Sequence, residues 1–220
     1  MNKYFKELVL WALILLPYAY LATIWDELPD KVPTHFNIDG EANGWSDKTT
    51  LLFIPGVFGI SIYFLMLVIP FLDPKKKIQQ MGDKFYTFRF MLTFFISVLM
   101  TYILYAGKEG SLKDPNMLIA LVGALFTMLG NYFQTIRPNY FIGIRTPWTL
   151  ENEQVWKKTH LLGGRIWMAG GILIVILSFL ITDNHSLMIA FGILSFIMVI
   201  IPVIFSYTEF KRENNLLHED

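Results

Sequence analysis

The chain has 220 residues, of which 54% are hydrophobic and 16% are charged, and its formal net charge is zero. Soluble proteins carry roughly 25% charged residues, so charges this sparse cannot coat a soluble domain, and lipid is expected to cover much of the surface. The zero net charge excludes a global basic field for nucleic acid, and the absence of cysteine excludes disulfides, thiolate catalysis and thiolate metal sites.

Long apolar segments alternate with polar loops along the chain. Each segment has 17 to 22 residues, and a helix needs roughly 20 to cross a bilayer. The six segments are about 8–25, 51–72, 86–106, 116–136, 166–182 and 187–207. The first is expected to be retained rather than cleaved, because large aromatic residues stand where a signal peptide has small ones. The sequence therefore predicts an all-α polytopic membrane protein with six transmembrane helices.

The loop after the first segment, DELPDKVPTHFNIDGEANGWSDK at 26–48, has the features of a short β-hairpin. Apolar and polar residues alternate over 32–38, which is the period of a half-buried strand. Asp39–Gly40 and Asn43–Gly44 are turn dipeptides, so both glycines are expected in turn conformations.

A calcium loop is the alternative for this stretch, with Asp39, Glu41 and Asn43 as ligands. Such a loop requires a bidentate Glu where Thr50 stands, and no helix precedes it. The hairpin is therefore favoured.

Basic residues are distributed unevenly among the loops. The amino terminus, the second and fourth loops with their flanks, and the tail hold 14 of the 18 Lys and Arg residues. The positive-inside rule then predicts that both termini are cytoplasmic and that the hairpin loop is extracytoplasmic.

Ionisable residues are almost absent from the six apolar segments. Arg89 lies near a predicted cytoplasmic helix end, where its side chain is expected to snorkel to the headgroups. Proton-coupled transporters usually need a buried Asp, Glu or His, so the absence argues against that class. Two rows of small or hydroxyl residues at spacings of four predict close helix packing: Thr93, Ser97 and Thr101, and Gly123, Thr127 and Asn131.

A polar stretch, RPNYFIGIRTPWTLENEQVWKKTH at 137–160, separates the fourth and fifth segments. Pro138 should end the preceding helix, Gly143 gives backbone freedom, and Thr146–Pro147 is a good helix start. We therefore predict a short helix over 147–160 that lies along the inner membrane surface. The residues alone leave two interpretations open: a passive interfacial anchor or a recognition surface.

The longer stretch GNYFQTIRPNYFIGIRTPWTLENEQVWKKTH at 130–160 resembles the signature of the SdpI family, bacterial membrane proteins named for immunity to a secreted toxin. The resemblance covers roughly 115–205, and the segment LPDKVPTHFNIDGEANGWSDK resembles the small domain of unknown function that often precedes it. It implies a multi-pass protein of the bacterial cytoplasmic (inner) membrane. It also implies protection from a membrane-active peptide toxin outside and capture of an autorepressor inside.

The expected organisation has four parts. They are 1–72 (helices 1 and 2 with the outer loop 26–50), 73–114 (a basic cytoplasmic loop, helix 3 and an outer loop), 115–210 (an SdpI-like core with the cytoplasmic loop 137–160) and 211–220 (a polar cytoplasmic tail).

Two recognition surfaces are expected, one on each face of the membrane. The inner candidates are Asn131, Arg137, Asn139, Gly143, Arg145, Thr146, Pro147, Trp148, Glu153, Trp156 and His160, and Lys75–Lys77 are considered with them. The outer candidates are His35, Asn37, Gly40 and Trp45. Arg145 and Trp148 can make bidentate hydrogen bonds and aromatic contacts, and Asn131, Asn139 and Trp156 would brace them.

Two other functional classes remain as alternatives. One is a transporter of an uncharged or amphipathic small molecule, and the other is a lipid-headgroup-binding enzyme built on Arg145, Glu151 and His160. His35 and His160 are predicted on opposite sides of the membrane and cannot share a metal or a triad. No catalytic residue, metal site or cofactor is predicted. The expected partners are the bilayer, the peptide toxin and the autorepressor, without direct binding of nucleic acid.

Overall fold

The computed structural model describes residues 2–74 and 76–219, which contain seven α-helices and one two-stranded antiparallel sheet. In chain order the elements are α1 (Lys3–Ile24), β1 (Lys31–Phe36), β2 (Ala42–Asp47), α2 (Thr50–Leu72), α3 (Asp83–Glu109), α4 (Asn116–Phe133), α5 (Pro147–Glu151), α6 (Glu153–Leu180) and α7 (Asn184–Glu219). All of these helices except α5 are long and apolar enough to cross a bilayer. The predicted architecture of six membrane helices with a hairpin after the first is confirmed.

The described chain forms two compact units. The first lies within Met1–Val68 and Tyr86–Leu121, and the second within Ile69–Phe85 and Val122–Asp220. The hairpin belongs to the first unit. The polar stretch 137–160, called the motif segment below, belongs to the second.

The hairpin, residues 31–47, is attached to the helices of the first unit by an apolar side chain. Val32 of β1 is fully buried in a cluster with Leu21 of α1, Leu51 of α2 and Leu104 of α3. Burying a Val side chain of this kind contributes roughly 1.5 kcal/mol or more relative to leaving it exposed. The hairpin is therefore packed on the ends of three helices rather than suspended as a free loop.

The hairpin turn lies at 37–41, at the first of the two predicted turn dipeptides. Gly40 has φ of +80°, and its carbonyl accepts a hydrogen bond from the Leu112 N–H at 2.9 Å. The prediction for Gly40 is confirmed. The prediction for Gly44 is wrong: it is a residue of β2 opposite His35, and its φ is not positive. The chain has already reversed at 37–41, so the second dipeptide is free to pair as strand.

Arg89 is buried and paired, so the predicted snorkelling is wrong. Its side chain donates two hydrogen bonds to the Glu7 carboxylate, at 2.8 and 2.9 Å. The Tyr63 hydroxyl donates a third to the same carboxylate at 2.8 Å. The prediction began the first helix at residue 8, whereas α1 begins at Lys3 and contains Glu7. A charge can stay inside a helical bundle when another helix supplies its partner.

The predicted surface helix over 147–160 is also wrong. Asn152 has an extended backbone, and its side chain accepts hydrogen bonds from two N–H groups of the following turn at 2.8 and 3.1 Å. Asn152 therefore ends the short α5 and caps a new helix. That helix, α6, runs without interruption from Glu153 to Leu180. Residues 153–160 are the first turns of a candidate membrane-spanning helix.

Glycines let α4 and α6 approach closely in the second unit. A Cβ on Gly130 would lie 2.7 Å from the Gly164 carbonyl oxygen, and one on Gly123 would lie 3.0 Å from the Gly171 carbonyl oxygen. Close backbone approach of this kind gives membrane helices the van der Waals contacts that hold them together. The packing predicted from the row at Gly123 is confirmed, although Asn131 in the same row is exposed.

Candidate functional site

Asn139 holds the first half of the motif segment together. Its side chain is buried, and its amide nitrogen donates to the carbonyl oxygens of Arg137 at 2.9 Å and Ile142 at 3.1 Å. Its amide oxygen accepts from the N–H groups of Phe141 at 2.8 Å and Ile142 at 2.7 Å. An Asn amide has two donor hydrogens and two acceptor sites. All four are used here, so an irregular backbone is held in one conformation.

His160 fixes the second half of the segment. Its Nε2 accepts a hydrogen bond from the Ile144 N–H at 2.9 Å, and its Nδ1 lies 2.9 Å from the Trp156 carbonyl oxygen. These partners require a neutral ring with the proton on Nδ1. A Cβ on Gly143, where φ is +110°, would collide with His160 Nε2. The imidazole therefore has a structural role, because both of its nitrogens are used in hydrogen bonds to the backbone.

Trp156 is the third buried side chain that holds the motif segment, and Asn139, His160 and Trp156 together are called the frame below. Its side chain is buried, and its indole Nε1 donates to the Ile136 carbonyl oxygen at 3.0 Å. Its ring stacks on His160 with centroids 4.0 Å apart, and Phe133 meets the same imidazole edge-on at 6.1 Å. The chain leaving α4 and the beginning of α6 are thus tied to each other.

Thr146 begins α5, as predicted. Its hydroxyl accepts from the Thr149 N–H at 3.2 Å, and the Thr149 hydroxyl accepts from the Thr146 N–H at 3.0 Å, with Pro147 at the start of the helix. Thr146 also donates to the Ser206 hydroxyl of α7 at 3.0 Å. The bond to Ser206 ties the segment to α7, a contact that the sequence did not indicate.

Three further candidates lie outside the frame: Arg137, Arg145 and Trp148. Arg137 and Arg145 are exposed. Arg145 Nη1 donates to the Tyr140 carbonyl oxygen at 2.6 Å, which uses one of the five N–H groups of a guanidinium. Trp148 is half-buried against the Tyr207 ring of α7, with centroids 5.0 Å apart.

A cleft of about 250 Å³ opens beside Pro138 in the second unit, and Arg137, Glu153 and Lys157 contribute to its lining. The Glu153 carboxylate lies 3.8 Å from the Nζ of Lys77. The cleft is therefore mixed in charge rather than uniformly basic. Lys75, which was predicted to join this surface, lies outside the described residues.

The half-buried Lys158 forms an ion pair with Glu209 that the sequence did not predict. Lys158 Nζ lies 2.6 Å from Glu209 and 2.6 Å from Glu213, and Glu209 is buried. The last predicted helix ended near residue 207, so both glutamates lay outside every predicted helix. The signal was present in their spacing, because residues four apart share one face of a continuing helix.

The four outer candidates divide into two that shape the hairpin and two that are displayed on it. Asn37 accepts hydrogen bonds from two N–H groups of the turn at 3.0 and 2.8 Å, and Gly40 supplies the positive φ. His35 is exposed and hydrogen-bonds through Nδ1 to the Asn43 side chain. Trp45 is 54% exposed, an unusual position for a side chain of this size.

Charges at the base of the hairpin are paired locally. Asp47 accepts hydrogen bonds from the Thr49 N–H at 3.0 Å and the Thr49 hydroxyl at 2.9 Å, and these bonds lower the pKa of its carboxyl. Lys48 Nζ lies 3.9 Å from Asp30 and 5.3 Å from the centre of the Trp25 ring. These contacts of Asp47 and Lys48 hold the base of the hairpin, and His35 and Trp45 take no part in them.

Asn131 lies apart from the motif segment. It is exposed on α4, and no hydrogen bond joins it to the described residues of the motif segment. Over residues 2–74 and 76–219, no group of three His, Asp or Glu side chains is placed to hold a metal ion.

Comparison with known proteins gives matches in both units. Residues 135–206 match the SdpI/YfhL protein family, and residues 12–59 match a domain of unknown function, DUF1648. The chain is 26% identical over 211 residues to "Immunity protein SdpI" of Bacillus subtilis (strain 168), an alignment that covers 95% of this chain and 98% of that protein. No solved structure matches the chain significantly. The resemblance drawn from the motif is thus confirmed: the chain is a multi-pass membrane protein whose residues 135–206 are similar to the SdpI/YfhL family and whose residues 12–59 are similar to DUF1648.

Proposed function

We propose that this chain is a membrane immunity protein that protects the cell producing it from a membrane-active peptide toxin. The observation that carries the proposal is the similarity to "Immunity protein SdpI", which extends over 95% of the chain. An alignment of that extent takes in both the hairpin and the motif segment. A relative that shared only the apolar helices would not support a common function in this way.

The proposed orientation places both termini in the cytoplasm and the hairpin outside. It rests on the 14 of 18 basic residues in the amino terminus, the even-numbered loops and the tail. A toxin that arrives from outside then meets the hairpin first. His35 and Trp45 are exposed there, and an exposed Trp is a common anchor in binding interfaces.

The motif segment then faces the cytoplasm, where we propose that it captures an autorepressor. Its backbone is held by Asn139 and His160, so its exposed side chains need little ordering when a partner binds. Arg137 and Glu153 present both signs of charge beside the Pro138 cleft. Trp148 lies on the same segment, half-buried against Tyr207.

The protective role is tested by expressing the chain in Bacillus subtilis that lacks its own immunity protein and then exposing the cells to the toxin. Survival above that of cells with an empty vector is the expected result. Killing equal to the empty vector, while the protein accumulates in the membrane, would overturn the immunity role.

Repressor capture is tested separately with Arg137→Glu, which reverses an exposed charge at the Pro138 cleft. Recruitment of a fluorescently tagged repressor to the membrane should fall about tenfold or more, since charge reversal at a recognition site costs roughly 1.4 kcal/mol or more. Arg165→Glu is the matched control, because Arg165 is an exposed arginine of α6 outside the cleft. Equal recruitment by both variants would contradict the assignment of this cleft.

A further inference from the structure

Beneath the motif segment, the second unit contains a pocket with an apolar wall. It has a volume of about 260 Å³, and α4, α6 and α7 supply its walls through Phe133, Trp167, Met198, Pro202 and Val203. Residues 143–146, among them Arg145, line one side. The pocket is distinct from the Pro138 cleft, because the two share no lining residue.

The pocket lies where the charged parts of two helices give way to apolar ones. On α6 the last charged residue is Arg165, and on α7 the first is Glu209. Trp167 and Val203 are on the apolar side of that boundary, close to it. In a membrane-spanning helix this boundary marks the depth at which headgroups meet acyl chains.

Aromatic and basic side chains at the same level agree with this depth. Thr146 is hydrogen-bonded to Ser206, which sets the start of α5 beside α7. Trp148 packs on Tyr207, and Lys211 Nζ lies 5.0 Å from the centre of the Tyr207 ring. Trp, Tyr and Lys are the side chains that concentrate at the membrane interface.

Arg145 supplies a cation at the pocket. The N–H groups of its guanidinium that do not bond to Tyr140 are available to a ligand. Its hydrogen bond to the Tyr140 carbonyl oxygen orients the guanidinium. No described carboxylate forms an ion pair with it, in contrast to Arg89, which is neutralised by Glu7. A fixed guanidinium next to an apolar cavity is suited to a ligand with an anionic oxygen group and a hydrocarbon chain.

We propose that this pocket binds an anionic phospholipid of the surrounding bilayer. One acyl chain occupies the cavity lined by Trp167 and Val203, and the phosphate accepts hydrogen bonds from Arg145. Lys211 adds a second positive charge at headgroup level. The proposal does not depend on the immunity role, and it gives Arg145 a ligand different from that of Arg137.

The test uses purified full-length protein reconstituted with equal amounts of phosphatidylglycerol and phosphatidylcholine, and native mass spectrometry of the lipid that remains bound. Wild type should retain phosphatidylglycerol in preference. Arg145→Gln should lower its retention about tenfold, the usual consequence of losing a charge-assisted hydrogen bond. Arg165→Gln, which removes an exposed arginine of α6 away from the pocket, should retain as much as wild type.

Val203→Phe supplies a second variant that fills the pocket and leaves Arg145 in place. It should lower retention as well, while thermal unfolding shows that the protein remains folded. Equal retention of the two lipids by wild type, or unchanged retention by Arg145→Gln, would overturn the proposal. Loss of toxin protection in Arg145→Gln with bound lipid unchanged would assign Arg145 to a peptide or protein partner, and would overturn the lipid site in the same way.

Discussion

The hairpin and the motif segment are both held in a single conformation, but by different kinds of bond. The two strands of the hairpin pair main chain with main chain, so side chains such as His35 and Trp45 are left exposed. The motif segment has no strand partner between residues 137 and 146. There the buried side chains of Asn139 and His160 satisfy the backbone instead.

This difference decides which residues each region can change. A backbone ladder is indifferent to most side chains on its exposed face, so the hairpin can vary its surface without losing its shape. A backbone held by side chains fails when those side chains change, because buried N–H and C=O groups would lose their partners. The motif segment is therefore specified residue by residue, whereas the hairpin is specified mainly by its turn and by Val32.

The largest effect is expected from Asn139→Leu. The substitution removes four hydrogen bonds and leaves backbone groups of Phe141 and Ile142 without partners in a buried site. Each buried unsatisfied group costs about 1–3 kcal/mol, so a loss of roughly 3 kcal/mol or more is expected. The measurement is thermal or denaturant unfolding of the purified protein in detergent.

Asn131→Leu is the matched control for this comparison. Asn131 is an exposed asparagine of α4 that has no hydrogen bond to the motif segment. Its replacement should change stability by no more than about 0.5 kcal/mol. If both variants unfold like wild type, water replaces the bonds of Asn139 and the segment is not held by its side chains.

An intermediate effect is expected from Gly40→Ala in the hairpin turn. Gly110→Ala is its control, since the two glycines have φ of +80° and +78° and differ in surroundings. A Cβ on Gly40 would collide with the Leu112 carbonyl oxygen and the Pro115 ring, whereas one on Gly110 would meet nothing within 4 Å.

Both alanines carry the strain of a positive φ, roughly 1 kcal/mol, and only Gly40→Ala adds the collision. Gly40→Ala should therefore cost roughly 1–2 kcal/mol more than Gly110→Ala in the free energy of unfolding. Equal losses for the two variants would mean that the turn at Gly40 does not depend on its contact with Leu112.

The sequence was sufficient for the parts of this fold that depend on local or periodic signals. Apolar length predicted the six membrane helices, and alternation with a turn dipeptide predicted the hairpin. Thr146 and Pro147 predicted a helix start, because a cap needs only neighbours in the chain. The motif itself was sufficient for the family resemblance.

The predictions that were wrong or missing concern residues whose partners are distant in the chain. Arg89 is 82 residues from Glu7, and Lys158 is 51 residues from Glu209. No periodicity connects such pairs, so each charge was interpreted from its own position. Asn152 was equally ambiguous: inside a helical pattern it is a weak helix residue, and only its extended backbone shows that it caps a second helix.

The smallest effect on stability, with a large effect on function, is expected from Trp45→Ala. Trp45 is 54% exposed on β2, and replacing an exposed side chain usually changes stability by no more than about 0.5 kcal/mol. If the hairpin receives the toxin, the same substitution removes an aromatic anchor, and such anchors contribute about 2 kcal/mol or more to binding. Cells producing Trp45→Ala should then be killed at a toxin concentration at least about tenfold lower than cells producing wild type, at equal protein level.

His35→Ala is a companion variant, because His35 is also exposed but loses a hydrogen bond to Asn43 rather than an aromatic surface. Full protection by both variants would show that the exposed face of the hairpin does not recognise the toxin, and the functional contrast with the motif segment would have to be abandoned.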